Sequence, residues 1–213
     1  MPSTSDTKAR IIKASTQLFR RQGYEGTGLK QIVDQGGAAW GSLYHFFPGG
    51  KEQLGIEVIT HHGEFYRSLI ERTFEEASDS TQAVRNLFAS NAEELVNSHF
   101  TDGCPIMAIA LDSMDASANL RQAGANVIEI WVRTVTSQLV SDGIDDTHAQ
   151  DVAIFIITAL EGAIALSRVI HSTDPLTSVS RVSVMVVRSA LDDARGTKSV
   201  AAKQSNRPML RAT

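Results

Sequence analysis

Residues 28–51, GLKQIVDQGGAAWGSLYHFFPGGK, decide how the rest of the chain is read. Leu29, Ile32 and Val33 fall at i, i+3 and i+4, one apolar face of an amphipathic turn and a half of helix. Gly36 and Gly37 stop that helix, because two residues free to take positive φ let the chain turn sharply. Residues 39–46 then form a second helix with Leu43, and Phe46 or Phe47, turned inward. Trp40, Gly41, Ser42, Tyr44 and His45 are left for an outside partner. A short helix, a tight turn and a second helix with polar, small and aromatic residues outward is the plan of a helix-turn-helix. The plan points to double-stranded DNA as the partner.

At this stretch a resemblance becomes specific. Ala14, Leu18-Phe19, Gly23-Tyr24, Thr27, Ile32, Gly41, Leu43-Tyr44-His45, Phe47 and Lys51-Glu52-Gln53-Leu54 stand in an order that resembles the DNA-binding domain of the TetR family of bacterial transcriptional repressors. SLYHFFPGGKEQL at 42–54, with GCPIMAIALD at 103–112, is similar to the LmrA/YxaF-type subgroup, whose members often control efflux or catabolic genes. The resemblance implies a homodimer paired through the last two helices and a ligand-holding body. It also implies a long helix from Lys51 that ties the reading head to that body, with the helix start at Thr27 approaching the DNA backbone.

The 213 residues, 42% of them apolar, suffice for a core and for one small domain fused to a larger one. No uninterrupted apolar run suggests a membrane span, and MPSTSDTKAR lacks a signal-peptide core, so a cytoplasmic protein is expected. The single cysteine, Cys104, excludes an internal disulfide and fits a reducing compartment. Charge is uneven: residues 1–51 carry +4, 52–195 carry −12 and 196–213 carry +4, within a net −4. A basic head on an acidic body lets one end approach phosphate while the other does not.

Helical periodicity predicts further helices over 7–22, 51–76, 81–99, 106–116, 120–140, 149–170 and 176–194, with residues 1–6 frayed. The stretch 149–170 is apolar nearly all round and needs burial on most sides, more than one small bundle provides. The fold class is therefore all-α, about nine helices: a three-helix DNA-binding domain over 1–54, a ligand-binding and dimerisation bundle over 55–195, and a disordered basic tail over 196–213.

The DNA-contact candidates are Thr27, Gly28, Lys30, Ala39, Trp40, Gly41, Ser42, Tyr44, His45 and Lys51. Thr27 reads as an N-cap, its hydroxyl accepting a backbone N–H. Gly41 allows close backbone approach or, equally, helix packing. Tyr44 and His45 carry polar tips that reach phosphate or base edges. Lys51 sits at a helix start and opposes the dipole, which phosphate would explain better than helix stability; Lys8, Arg10 and Lys13 are placed similarly, for phosphate or, equally, as a solvated face. The chain departs from the family pattern at Ala39, where many relatives have a capping Ser, at Trp40, where Lys or Arg is frequent, and at Phe46, where the subgroup often has His. These departures touch the operator sequence, not the class of activity.

Candidate ligand-lining residues are Leu69, Phe88, Asn91, Met107, Leu111, Trp131, Val135, Phe155 and Glu161, though ordinary core is the default reading of any single one. Met and aromatics suit an adaptable, apolar or aromatic guest, and the buried polar groups of Asn91 and Glu161 need partners. Arg168, two turns from Glu161, or a dimer contact, would also satisfy that carboxylate. No metal site, cofactor motif or catalytic constellation is apparent, so no enzyme activity is expected; His61 and His62 are consecutive on a helix and point about 100° apart. The expected product is a repressor on a roughly palindromic operator with half-sites about 34 Å apart or somewhat more, released by a small molecule. The alternatives are a ligand-independent DNA binder of the same fold and a helical small-molecule-binding protein that no longer binds DNA.

Overall fold

The computed structural model describes the backbone of residues 4–205 and the side chains of 6–196, and is all-helical. Among the described residues the elements are α1 (Thr4–Gln22), α2 (Leu29–Gln35), α3 (Trp40–Phe46), α4 (Gly50–Glu75), α5 (Ser80–Asn97), α6 (Pro105–Asp112), α7 (Ala118–Ser141), α8 (Asp146–Ile170) and α9 (Asp174–Ser205). Two terminal expectations are corrected. Helix α1 begins at Thr4 rather than after a frayed hexapeptide. The tail expected to be disordered from 196 continues α9 as far as Ser205; its remainder, 206–213, lies outside the described residues.

The first three helices pack on one another around Ile11, Phe19, Ile32, Leu43 and Phe47, all fully buried. Gly37 takes φ +58, so the turn between α2 and α3 rests on the left-handed geometry that glycine tolerates. Helix α4 belongs to both ends of the molecule, packing against α1 and against α5, α6 and α7. The expected division at residue 54 falls within its second turn. Gly63 lets α4 and α7 come together, since a Cβ there would stand 2.6 Å from Val127 Cγ2. The Trp131 indole N–H donates to the Gly63 carbonyl at 2.9 Å across the same crossing.

Helix α8 packs against α5, α7 and α9. It is long and apolar enough to cross a bilayer by length and composition (mean hydropathy 1.9), although Asp151, Glu161 and Arg168 interrupt the apolar run. Only 33% of that window is buried within the subunit. Its outer side shows Ile154, Phe155, Leu166, Val169 and Ile170, and α9 adds Val182 and Met185.

Candidate nucleic-acid interface and ligand chamber

The candidate reading surface is one side of α3. Leu43 is fully buried and anchors the helix, Phe47 is buried behind it, and Phe46 is half-buried. Trp40 and Tyr44, one turn apart, remain 49% and 46% exposed and meet edge to face with ring centroids 5.8 Å apart. Gly41 and His45 are exposed and Ser42 is half-buried. An ideal Cβ at Gly41 would meet nothing within 4 Å, so packing within the subunit does not require glycine there. Ala39 occupies the N-cap with no side-chain cap bond, as its lack of a hydroxyl dictates.

Several expected DNA contacts have other partners. Gly28, not Thr27, is the N-cap of α2. Thr27 is 1% exposed and its hydroxyl donates to the Gly23 carbonyl at 2.6 Å, so it is a buried pin for the turn rather than a group facing phosphate. Gly28 itself is exposed with open space beside it. Lys51 Nζ sits 4.3 Å from the centroid of the Tyr24 ring, where burial lowers its pKa. Its place at the helix start is thus explained by a cation–π contact, worth about 0.5–2 kcal/mol. Lys30 is exposed and pairs with Asp34 at 2.7 Å, leaving an ammonium that water or phosphate can reach.

The basic head also spends charge on the body. Lys8 pairs with Glu57 at 3.1 Å, Arg20 with Glu94 at 2.6 Å, and Arg21 with Asp102 at 2.9 Å. Arg10 donates to the Gly37 carbonyl and pairs with Asp6. Lys13 stands exposed. Charge counts along the sequence could not separate cations that face outward from those that tie helices together.

Around residues 101–104 the two ends of the molecule interlock. His99 and Phe100 close α5 in the left-handed region (φ 53 and 59), a costly pair for residues with side chains, and redirect the chain across the end of α1. There Arg20 Nε donates to the Gly103 carbonyl and Gly103 N–H donates to the Arg20 carbonyl, both at 3.0 Å. The Asp112 carboxylate, at the end of α6, accepts the Tyr24 N–H at 2.8 Å.

Behind this junction lies a partly open chamber with about 30 Å³ of free space. Of the predicted ligand-lining residues it gathers Asn91, Trp131 and Glu161, joined by His62, Tyr66 and Cys104. Asn91 Nδ2 donates to the Tyr66 hydroxyl at 2.8 Å. His62 lies against the Tyr66 ring, and burial, with help from the Arg20 charge, depresses its pKa to about 4. Glu161 turns its carboxyl into the chamber, where burial raises its pKa to about 7 and the Cys104 thiol donates to it. Burial in this wall pushes the thiol itself well above its usual range.

Arg168 is not the partner of Glu161: its Nη2 donates to the Thr101 carbonyl at 2.9 Å. On the other face of the Gly103–Cys104 wall, Met107, Leu111 and Glu161 share an open apolar groove of about 490 Å³ between α6 and α8.

The other candidates fall elsewhere. Phe88 is buried beneath a separate groove between α5 and α9. Val135 is fully buried and Leu69 half-buried, both as plain core. Phe155 is on the outer side of α8, because an all-round apolar helix gives no periodic sign of which face turns inward. His62, Tyr66 and Arg20 were missed. In the sequence His62 reads only as a possible metal ligand and Arg20 only as one charge of the basic head, and nothing in their spacing shows that α1 and α4 converge on one cavity.

Comparison with known proteins agrees with this layout. Residues 11–58 match the model for bacterial regulatory proteins of the tetR family, and 80–182 match the transcriptional regulator LmrA/YxaF-like C-terminal domain. The chain is 33% identical to the uncharacterized HTH-type transcriptional regulator YxaF of Bacillus subtilis, over 88% of this chain and 98% of that protein. It is 32% identical to the HTH-type transcriptional regulator LmrA of the same organism, over 84% and 95%. A solved regulatory protein TetR from Rhodobacter sphaeroides superposes with a TM-score of 0.76 at 21% identity, covering 84% of this chain and 98% of that one, and so shares the fold.

Proposed function

We propose that this chain, which belongs to the TetR family and is a DNA-binding transcriptional regulator, is a homodimeric repressor that leaves its operator when a small molecule binds the body. The observation that carries the reading is the Trp40–Gly41–Ser42–Tyr44–His45 side of α3, presented by a buried Leu43 yet mostly open to solvent. Sequence is read through base edges in the major groove, and a helix with aromatic and polar tips beside a bare glycine suits that approach. Lys30, Gly28 and Ala39 flank it. A domain arrangement of 1–54 for reading and 55–195 for sensing and pairing is part of the proposal, as is a cytoplasmic location, where chromosomal DNA is.

The exposed apolar side of α8 and α9 supports pairing through these two helices. A second copy burying Phe155, Leu166, Val169, Val182 and Met185 would form a four-helix interface. Two reading helices would then meet a roughly palindromic site with half-sites about 34 Å or somewhat more apart. The inducer acts only through its different affinity for the DNA-competent and the displaced dimer.

Gel shift on the DNA upstream of the protein's own gene tests the reading, with Tyr44→Ala as control. Binding by the wild type and its loss in the variant are expected. Equal, weak binding by both at moderate salt contradicts it, as does a strictly monomeric particle in light scattering. One observation favours a second reading, a ligand-independent DNA binder: the chamber, at about 30 Å³, has room for roughly one water molecule. A thermal-shift screen that finds no stabilising compound would favour it.

A further inference from the structure

The chamber is walled in part by a residue of the reading end, and its ionisable lining is unbalanced. One guanidinium, Arg20, stands among three carboxyl groups, Glu94, Asp102 and Glu161. His62 is uncharged near neutral pH, and Arg21 reaches Asp102 with a side chain that is 55% exposed. Among the described residues no ion pair engages Glu161. The rings of Tyr66, Trp131 and Phe65 supply the remaining wall, and aromatic faces attract cations.

A guest larger than a water must move part of this wall. Tyr66 and Trp131 are core side chains, packed with ring centroids 4.8 Å apart and held by the bonds to Asn91 and Gly63. Arg20 is held differently, by polar contacts to Glu94 at 2.6 Å, the Gly103 carbonyl at 3.0 Å and Asp102 at 3.9 Å. A second cation can take over those carboxylates. An anion would instead pair with Arg20 while being repelled by the Glu94 and Asp102 carboxylates.

We propose that the chamber takes an organic cation, an ammonium or amidinium on an apolar body, which replaces Arg20 as the partner of Glu94 and Asp102 and so unties the end of α1 from the body. The inference rests on the reading of the protein as a ligand-responsive regulator and specifies its ligand class and its point of coupling. Arg20 is a resident competitor: while it occupies the carboxylates the reading end is docked, and an incoming cation gains them only by displacing it. Glu161 then faces the cationic group from the deep end.

The test is titration calorimetry on the purified full-length protein without DNA, using benzamidine as the cationic probe and benzoate as its anionic counterpart. Benzamidine is expected to bind and benzoate not to. Removing the competitor in Arg20→Ala should tighten benzamidine binding by about tenfold or more, the worth of a charge-assisted hydrogen bond. Glu161→Gln should weaken it by a similar factor. Arg20→Met, which keeps the apolar stem, should behave as Arg20→Ala does and guards against a folding defect, checked by near-ultraviolet circular dichroism. Benzoate binding that depends on Arg20, benzamidine affinity unchanged or weakened in both Arg20 variants, or binding of neither probe would overturn the proposal. Because no DNA is present, a protein that takes benzamidine but ignores its operator separates a failure of the repressor reading from a failure of this one.

Discussion

The outer side of α3 and the chamber behind residues 101–104 treat their polar and aromatic groups in opposite ways. On α3, the half-exposed rings of Trp40 and Tyr44 meet edge to face and Gly41 faces open space, so the duplex would supply the missing partners. In the chamber the Asn91 amide, the Tyr66 hydroxyl and the Trp131 indole N–H have protein partners, and Glu161 has a thiol donor but no cation. A surface built for a large, preformed partner can leave its groups in water until binding. A mostly buried chamber offers its deep polar groups little water, so they are satisfied internally or shift their protonation. The contrast predicts that substitutions on α3 move affinity and spare stability, whereas substitutions behind it move stability first.

The largest effect is expected directly beneath the outer side of α3. Leu43→Ala removes the buried anchor of α3 and should cost about 2–5 kcal/mol in urea unfolding, with operator binding lost alongside. A cost below about 1 kcal/mol would show that the reading helix is not held as described.

Next is the chamber's response to pH. Folded Glu161 keeps its proton to about pH 7 where the unfolded chain releases it near 4.5, so its burial penalises stability progressively as pH rises through that window. Folded His62 refuses a proton until about pH 4 that the unfolded chain accepts near 6.5, so its contribution falls as pH drops. Between pH 4.5 and 6.5 the two oppose each other. Glu161→Gln should therefore be more stable than wild type above pH 7, by on the order of 2–3 kcal/mol. It should also lose stability toward acid more steeply than wild type, by up to about 1.4 kcal/mol per pH unit. Parallel stability curves for the two proteins between pH 4.5 and 7 would contradict the burial of the carboxyl.

On α3 the expected signs differ. Tyr44→Ala should weaken operator binding by about 1–3 kcal/mol while leaving the melting temperature where it was; a shift in melting alone would make Tyr44 a structural residue. Gly41→Ala sharpens the point, since its new methyl group meets nothing in the protein. It should stabilise the helix by about 0.5–1 kcal/mol and yet bind DNA less well. Equal or tighter DNA binding would mean that the backbone does not come close at that turn.

The smallest effect belongs to Lys30→Ala. Its exposed pair with Asp34 contributes a few tenths of a kcal/mol at most, so stability should hardly change. The salt dependence of DNA binding should become shallower by about one unit if the ammonium meets a phosphate. An unchanged slope removes Lys30 from the interface.

Much of this was legible in the order of residues. Local periodicity, glycine pairs and the run from Ser42 to Leu54 specify a helix-turn-helix and the all-helical class, because those signals act over a few residues and need no distant partner. The inward Leu43 and outward Tyr44 follow from helical spacing alone. What the sequence could not order was everything settled between distant segments. Thr27 looks like a cap but is pinned by Gly23, Lys51 rests on the Tyr24 ring, a contact its position does not announce, and Phe155 looks like cavity lining but faces out. Arg20 and His62 meet across a cavity only because α1 and α4 are brought beside residues 101–104. Secondary structure and the exposed side of α3 were thus written in neighbouring residues. Which cations remain free, and which carboxyl is left without one, was decided by tertiary packing, since burial and charge pairing depend on distances in space that chain separation does not encode.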